Sequence, residues 1–380
     1  MDILHCGYDK LSLTVDVDIP EDFREALMEA KKIAARQNTP EVLTCNGMDI
    51  QVRKSGGGSS FSVSTGEYGA EWFFLDPHNK PSNNPGIRID FRAFLLATGG
   101  LEDAKAHFED CMASFGIRYA DHLIKISRVD IAVDILAPSF VPDRKLVIAP
   151  PNTLSRERDA EPGSEHGVGV VVSGVTAGHI SNRQLIIYDK RREIIQNNKP
   201  GWIEIWNTRR TLEGKPAIDV KDKINNLIWR FEIRMGSKQL RNRWEIRGWE
   251  GLEARIGDAV DEFTQKFRYA QPNGDTNRSR WPTHPIWTIM KNEMNDFFQG
   301  KRNFAEPSSV KTVNREAHKA LLDTLILGNV ISRAVADGIE PGEFESFVSE
   351  YASLICKISR KHPTPIDQRF SKSEEKYIFR

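Results

Sequence analysis

Cysteine is scarce: four in 380 residues, at positions 6, 45, 111 and 356. None stands at a metal-ligand spacing, which excludes zinc fingers and a disulfide scaffold, and so few thiols suit a reducing compartment. The nine histidines include no His-hydrophobic-His pair and no His-Glu-x-x-His, and Gly-x-Ser-x-Gly is absent. Metallopeptidase and serine-hydrolase chemistry therefore drop out. Gly56-Gly57-Gly58 is followed by no Lys-Ser/Thr, so it is not a nucleotide-binding P-loop. No run of about 18 apolar residues occurs, so no membrane span is expected. Met1–His5 lacks the basic and apolar regions of a signal peptide, and the expected location is cytoplasmic. Net charge is lacking too: 53 Lys and Arg balance 53 Asp and Glu, which excludes a wholly basic DNA coat.

What is present fits a globular chain, with 39% hydrophobic and 28% charged residues and length enough for two domains. The charge is unevenly placed. From Gln184 to Arg247, fifteen Lys/Arg face eight Asp/Glu, a local basic patch of the kind nucleic acid binds and also of the kind solvated helices carry. Leu11–Ile19 alternates as a strand, and Pro20-Glu21-Asp22 opens a helix with an apolar stripe at Phe23, Leu27, Ala30 and Ile33/Ala34. Met48–Arg53 and Phe61–Thr65 read as a hairpin, Trp72–Leu75 and Ile87–Phe94 as strands, and Glu102–Phe115 as a helix. Ala149–Gly167 reads as an exposed loop, Val168–Val172 as a strand, Arg191–Gln196 as a helix, and Thr208–Lys215 as a basic loop. Beyond Gly236 the pattern turns helical: Ser237–Ile246, Leu252–Arg268, an aromatic segment Trp281–Phe298, Val310–Ala336 and Pro341–Ile358, with a polar tail from Lys361 to Arg380. The predicted class is α+β: a mostly antiparallel twisted sheet with packed helices, followed by a helical C-terminal region.

Three stretches organise the chain: Ile124–Ile135, Gln184–Lys190 and Ile228–Met235. Residues two apart on a strand share a face. Val129, Ile131, Val133 and Ile135 then point one way, Arg128, Asp130 and Asp134 the other. Trp229, Phe231, Ile233 and Met235 alternate with Arg230, Glu232 and Arg234, and Ile186, Tyr188 and Lys190 share a face of the middle stretch. If the three are neighbours, one face gathers carboxylates, a tyrosine, a lysine and arginines. The plainer alternative is an exposed sheet face with cross-strand Arg–Asp pairs.

Such a face has a chemistry. A tyrosine hydroxyl, with a pKa of roughly 10, becomes a nucleophile when a cation stabilises the phenolate and the electrophile is held in line. Tyr188 is the candidate nucleophile, with Lys190 beside it. Paired carboxylates can hold Mg²⁺ or Mn²⁺ and so polarise a phosphate oxygen. Asp130 and Asp134 stand four residues apart, about 13 Å along a strand, so only one of them joins Glu232 or Asp90 at one ion. Asp130 is favoured over Asp134. Arg128, Arg191, Arg192, Arg230 and Arg234 are the candidate phosphate-binding groups.

Three segments resemble the Rep_trans family of plasmid and phage rolling-circle replication initiators and related relaxases of integrative elements. They are Ser127-Arg128-Val129-Asp130-Ile131-Ala132-Val133-Asp134, Ile187-Tyr188-Asp189-Lys190-Arg191-Arg192-Glu193 and Trp229-Arg230-Phe231-Glu232-Ile233-Arg234. Gly7-Tyr8-Asp9-Lys10-Leu11 is similar to that family's opening strand, and the resemblance covers roughly residues 5–245. It implies nicking of one DNA strand at an origin, a tyrosyl–DNA intermediate carried by Tyr188, a divalent metal and a homodimer. One departure stands out: many relatives carry a further tyrosine in the preceding strand, where this chain has Val170-Val171-Val172. A nucleophile belonging to that strand would leave this chain catalytically altered. The expected layout is a nicking domain over 1–236, a helical DNA-binding or dimerisation region over 237–360 that is also the candidate for recruiting a host helicase, and a tail over 361–380. A conjugative relaxase and a non-catalytic DNA-binding accessory protein are the competing readings.

Overall fold

Eleven strands form one antiparallel sheet, and the first strand of the chain lies near its middle. The computed structural model describes residues 1–299 and 307–370, apart from positions 67, 82, 83, 152, 154, 160–171, 198, 200 and 364. In chain order the elements are β1 (Asp2–Val15), α1 (Glu21–Gln37), β2 (Glu41–Cys45), β3 (Met48–Val52), β4 (Phe61–Ser64), β5 (Ala70–Phe74), β6 (Ile87–Phe91), α2 (Ala93–Ser114) and β7 (Ile124–Leu136). There follow β8 (Val147–Ile148), β9 (Ser155–Asp159), β10 (Val172–Gly178), β11 (Arg183–Asp189), α3 (Lys190–Gln196), α4 (Gly201–Leu212), β12 (Ile228–Gly236), α5 (Trp249–Lys266), β13 (Arg268–Tyr269) and α6 (Pro285–Phe297). The sheet order is β2-β3-β4-β5-β6-β1-β7-β12-β11-β10-β9, and β8 pairs separately with β13. The fold is α+β.

The chain divides into two compact units, Met1–Phe304 and Ala305–Arg380. The division falls well beyond residue 236 because α5 and α6 belong to the sheet's core. Leu252, Ile256, Val260 and Phe263 of α5, with Trp287, Met290 and Met294 of α6, pack with Val129, Ile131, Phe231 and Ile233 of the sheet. The second unit holds α7 (Pro307–Ala336) and α8 (Phe344–Lys361). Among the described residues, no helix is long and apolar enough to cross a membrane.

Local rules explain most elements. Glu21 and Asp22 sit in the first turn of α1, where carboxylates offset the dipole, and Asn38 ends that helix in the left-handed region. Asn46-Gly47, both with positive φ, turn β2 into β3. That hairpin makes β2 a strand the alternation of β3 and β4 alone did not reveal. Gly100, at φ 65°, kinks α2, which begins at Ala93 rather than Glu102.

Four expectations change. β1 starts at Asp2, because bulges at Leu4 and Asp9 interrupt its alternation while it pairs with β7 throughout. Part of the expected loop 149–167 is strand β9, paired with β10; residues 160–167 of it, and 168–171 of the expected strand, lie outside the described residues. Most of the expected basic loop is the end of α4, whose Trp202, Trp206 and Arg210 are buried at helical spacing. The helix expected over 237–246 is a short π-turn, Lys238–Arg243, followed by Glu245 at φ 53°. Residues 371–380 of the expected tail also lie outside the described residues.

Candidate active site

β7, β12 and β11 are consecutive in the sheet, so their polar faces form a grid. One row reads His5, Asp134, Arg230, Tyr188 and Gly174 across β1, β7, β12, β11 and β10. The next reads Gly7, Ala132, Glu232, Ile186 and Thr176, and the third Lys10, Asp130, Arg234, Gln184 and Gly178. Tyr188 thus shares a face with Glu232, one pleat along on the adjoining strand. Register produces this arrangement across β7, β12, β11 and β10, which pair without a shift and alternate with period two.

Arg230 is its centre. Nε donates to Asp134 Oδ1 at 2.6 Å and Nη2 to Oδ2 at 2.7 Å, while Nη1 donates to Asp9 Oδ1 at 2.5 Å. Asp9 reaches this face because it is the extra residue of a bulge in β1. Trp206 Nε1 donates to Asp134 Oδ2 at 2.9 Å. The Trp202 ring lies 4.1 Å from the Arg230 guanidinium carbon and 4.6 Å from Lys190 Nζ, a cation–π sandwich. Both tryptophans come from α4, which covers this end of the face together with Leu4, Ile194, Ile218 and Ile228. Burial alone would raise the Asp134 carboxyl; the charge and hydrogen bonds of Arg230 outweigh it and hold the group below its ordinary value. Burial pushes His5 down to about 4, with Arg230 adding to the effect, so the ring is neutral near pH 7.

The Asp130 end is different. Arg128 Nε donates to Asp130 Oδ1 at 2.8 Å and its Nη2 bonds Oδ2. Arg234 Nε lies 2.6 Å from Glu232 Oε1 and 3.6 Å from Asp130 Oδ2, so one guanidinium joins both acids. Burial pushes the Asp130 carboxyl up to about 8; Glu232 adds to the rise and Arg128 resists it.

Tyr188 is half-buried. Burial drives its hydroxyl well above the ordinary phenol value, and Arg230 is the main opposing influence. Lys190 begins α3 rather than ending β11, yet Nζ still lies 5.9 Å from the Tyr188 ring centre. Nζ also bonds Glu193 Oε2 at 2.5 Å. Asp90 stands apart. β1 and β7 separate β6 from β12, so Asp90 is at least about 14 Å from Glu232 by strand spacing, and it pairs with Lys10 Nζ at 3.4 Å. Arg191 is buried and donates to the Val220 carbonyl at 2.7 Å; Arg192 is half-buried over the Asp189 cap of α3.

The acids do not form a ligand set for Mg²⁺ or Mn²⁺ as they stand. Such ions take about six oxygen ligands. Here Asp134 is filled by Arg230 and Trp206, and Asp130 and Glu232 by Arg128 and Arg234. Among the described residues no group of three or more His, Cys, Asp or Glu is placed to hold a metal. Asp9, His5, Trp202, Trp206 and Glu193 are the parts of this centre that sequence reading passed over. Asp9 lay within the quoted Gly7–Leu11 segment, and the spacing of the tryptophans, four apart, marked one helix face.

Among solved structures, a rolling circle replication initiator protein from Geobacillus stearothermophilus is similar at TM-score 0.39 and 14% identity, over 77% of this chain and 97% of that one. No family model and no curated protein matches the sequence.

Proposed function

We propose that the chain is a replication initiator that nicks one DNA strand at an origin, with Tyr188 as the nucleophile. The observation that carries the reading is the pairing of Tyr188 with Arg230 on adjacent strands, with Glu232 one pleat along the same face. The second and third of the motifs that resemble rolling-circle initiators supply these residues, and the first supplies Asp134 opposite Arg230.

The reaction needs little else. The Tyr188 oxygen attacks a backbone phosphorus, forming the O–P bond, and the phosphorus–O3′ bond breaks. The phenolic proton passes to a carboxylate of the same face, and the departing O3′ leaves as a hydroxyl after taking up a proton. Arg230 is the fixed positive charge beside the phenolate, in a site where burial makes that charge count. Reversal by the 3′-hydroxyl rejoins the strand. The same chemistry would serve a conjugative relaxase, which differs in the DNA it is given.

A second reading has an observation of its own. Arg230 and Arg191 are held by protein partners, and the acids are engaged by arginines, which favours a DNA-binding accessory protein that has kept the fold without the reaction. The deciding experiment is nicking of supercoiled DNA from the native genetic element, with and without Mg²⁺ or Mn²⁺, comparing wild type with Tyr188→Phe and searching intact mass for a protein–oligonucleotide adduct. Nicking and adduct together, both lost in Tyr188→Phe, support the enzyme. Specific, salt-sensitive binding without nicking supports the accessory protein.

A further inference from the structure

Soft donor atoms gather where the β2–β3 hairpin meets α2, at the end of the sheet away from Tyr188. His107 and Cys111 stand four apart on α2, so both side chains leave one face of the helix. The hairpin is fastened to the same helix: Asn46 Nδ2, in its turn, donates to the Ser114 carbonyl at 2.8 Å. Met48 Sδ then lies 3.5 Å from Cys111 Sγ, and His107 Nε2 lies 3.5 Å from that same sulfur. Cys111 is fully buried, and Met48 and His107 are half-buried. A thiol thus stands between a thioether and an imidazole. Thr65 Oγ1 is 2.8 Å from His107 Nε2, but Ala70 already engages that hydroxyl, its N–H donating at 2.8 Å and its carbonyl lying at 3.2 Å. Nε2 can therefore turn to another partner without stranding Thr65.

The donor set selects an ion. Ligands around a metal with bonds of about 2.3 Å to sulfur and about 2.0 Å to nitrogen stand roughly 3.5–4.0 Å from one another. Both spacings to Cys111 Sγ fall at the short end of that range. Thioether sulfur suits Cu(I) and does not suit Mg²⁺, Ca²⁺ or Mn²⁺, which seek oxygen. Charge points the same way. One thiolate balances a monovalent cation, whereas a divalent one would leave a net charge beside the core. Burial lowers the His107 imidazole below its ordinary value, against the pull of Asp110, so the ring is neutral near pH 7 and ready to ligate.

We propose that Met48, His107 and Cys111 form a three-coordinate site for Cu(I), which pins the β2–β3 hairpin to α2. On binding, the Cys111 thiol releases its proton to solvent and its sulfur joins the ion; no electron is transferred. The site is independent of the nicking reading, since β4, β5, β6 and β1 stand between β3 and β7.

Anaerobic titration of the full chain with Cu(I), against bicinchoninate as a competing chelator, tests it. Cys45 is the register partner of Met48 and Cys356 is exposed, so Cys45→Ser with Cys356→Ser serves as the background that removes these other thiols. That background is expected to hold one Cu(I) per chain by native mass spectrometry, with two sulfur neighbours and one nitrogen by X-ray absorption. Met48→Leu, which keeps the volume, and His107→Gln are each expected to weaken binding at least about tenfold, the lower end of what loss of an outer-shell partner alone costs. Melting curves taken without copper should match the background, which separates loss of a ligand from loss of the fold. Binding no tighter than in Cys111→Ala, or unmoved by both Met48→Leu and His107→Gln, overturns the proposal by assigning the copper to stray thiols. A shell of sulfur alone, or Zn²⁺ held more tightly than Cu(I), overturns it as well.

Discussion

Arg230 and Asp134 face each other across β12 and β7 as a two-pronged ion pair with no exposed side-chain surface on either partner. An ion pair so enclosed is held because each charge has nowhere else to go. Arg230→Ala would leave Asp134 and Asp9 without their cation and is expected to cost about 3–5 kcal/mol of folding stability. Urea unfolding at pH 7 reads this directly; a loss under about 1 kcal/mol would mean that the pair is solvated.

Trp206→Phe keeps an aromatic ring, removes the donor to Asp134 and leaves a small cavity at a fully buried position. The expected loss is about 1–3 kcal/mol, the cost of an unmet buried hydrogen bond. In a double-mutant cycle with Asp134→Asn, the two losses should fall short of additivity, because both touch one network.

Two carboxylates set opposite pH dependences. Asp130 has a folded pKa of about 8 against an ordinary value of 3.8, so the native state holds a proton that the unfolded state releases. Its contribution to stability is fully present below pH 4 and is lost as pH rises towards 8. Glu193 runs the other way. Burial would raise it, but Lys190, by charge and hydrogen bond, and then Lys199 bring it down to about 2. Its contribution is present above pH 4.5 and is lost as pH falls towards 2. Unfolding free energy measured from pH 4 to 8 should therefore decline less steeply in Asp130→Asn than in wild type. An unchanged slope would remove Asp130 as the titrating group.

Mg²⁺ or Mn²⁺ added to the free protein should leave its melting temperature where it is, since Arg128, Arg230 and Arg234 already occupy the acids. A bound ion at 100 times its dissociation constant would add about 2.7 kcal/mol, readily seen by calorimetry. Such a shift, abolished by Glu232→Gln, would show that the arginines give way to metal.

Gly174 sits across β10 from Tyr188, and a methyl group there would come 2.3 Å from the Ile187 carbonyl oxygen and 3.0 Å from the Tyr188 Cβ. Gly174→Ala is expected to cost about 1–3 kcal/mol as β10 is pushed from β11. If the nicking reading holds, activity should fall further than stability does, because the nucleophile's strand is the one displaced.

The three central strands were legible because each carries ionisable residues at period two, and alternation fixes the face; that they are neighbours is given only by the sheet order. The edges of the fold were not. β1 is interrupted where Leu4 and Asp9 bulge, so its first half gave no clean period and Asp9 could not be assigned to the polar face. β9 is a charged segment, Ser155–Asp159, with no apolar rhythm to read; only its pairing with β10 makes it a strand. Within the site, residue types were readable and pairings were not. Sequence gives Asp134 and Arg230 each a place on the polar face of its strand, whereas their pairing follows from the sheet register and the tryptophan donor from the helix packed above. Asp90 shows the converse, a correct face on a strand too far away.

The place of β1 bears on how the chain is made. It emerges before every other strand of the sheet, yet its partners are β6 and β7, which end at Phe91 and Leu136. β7 in turn waits for β12, ending at Gly236. The centre of the sheet therefore closes only after the segment through Gly236 has left the ribosome, and long-range pairing of this kind is slow. Until β6 and β7 have emerged, β1 is an unpaired ribbon with Leu11, Leu13 and Val15 uncovered, which makes the nascent chain, rather than the finished fold, the stage most exposed to aggregation and most in need of chaperones.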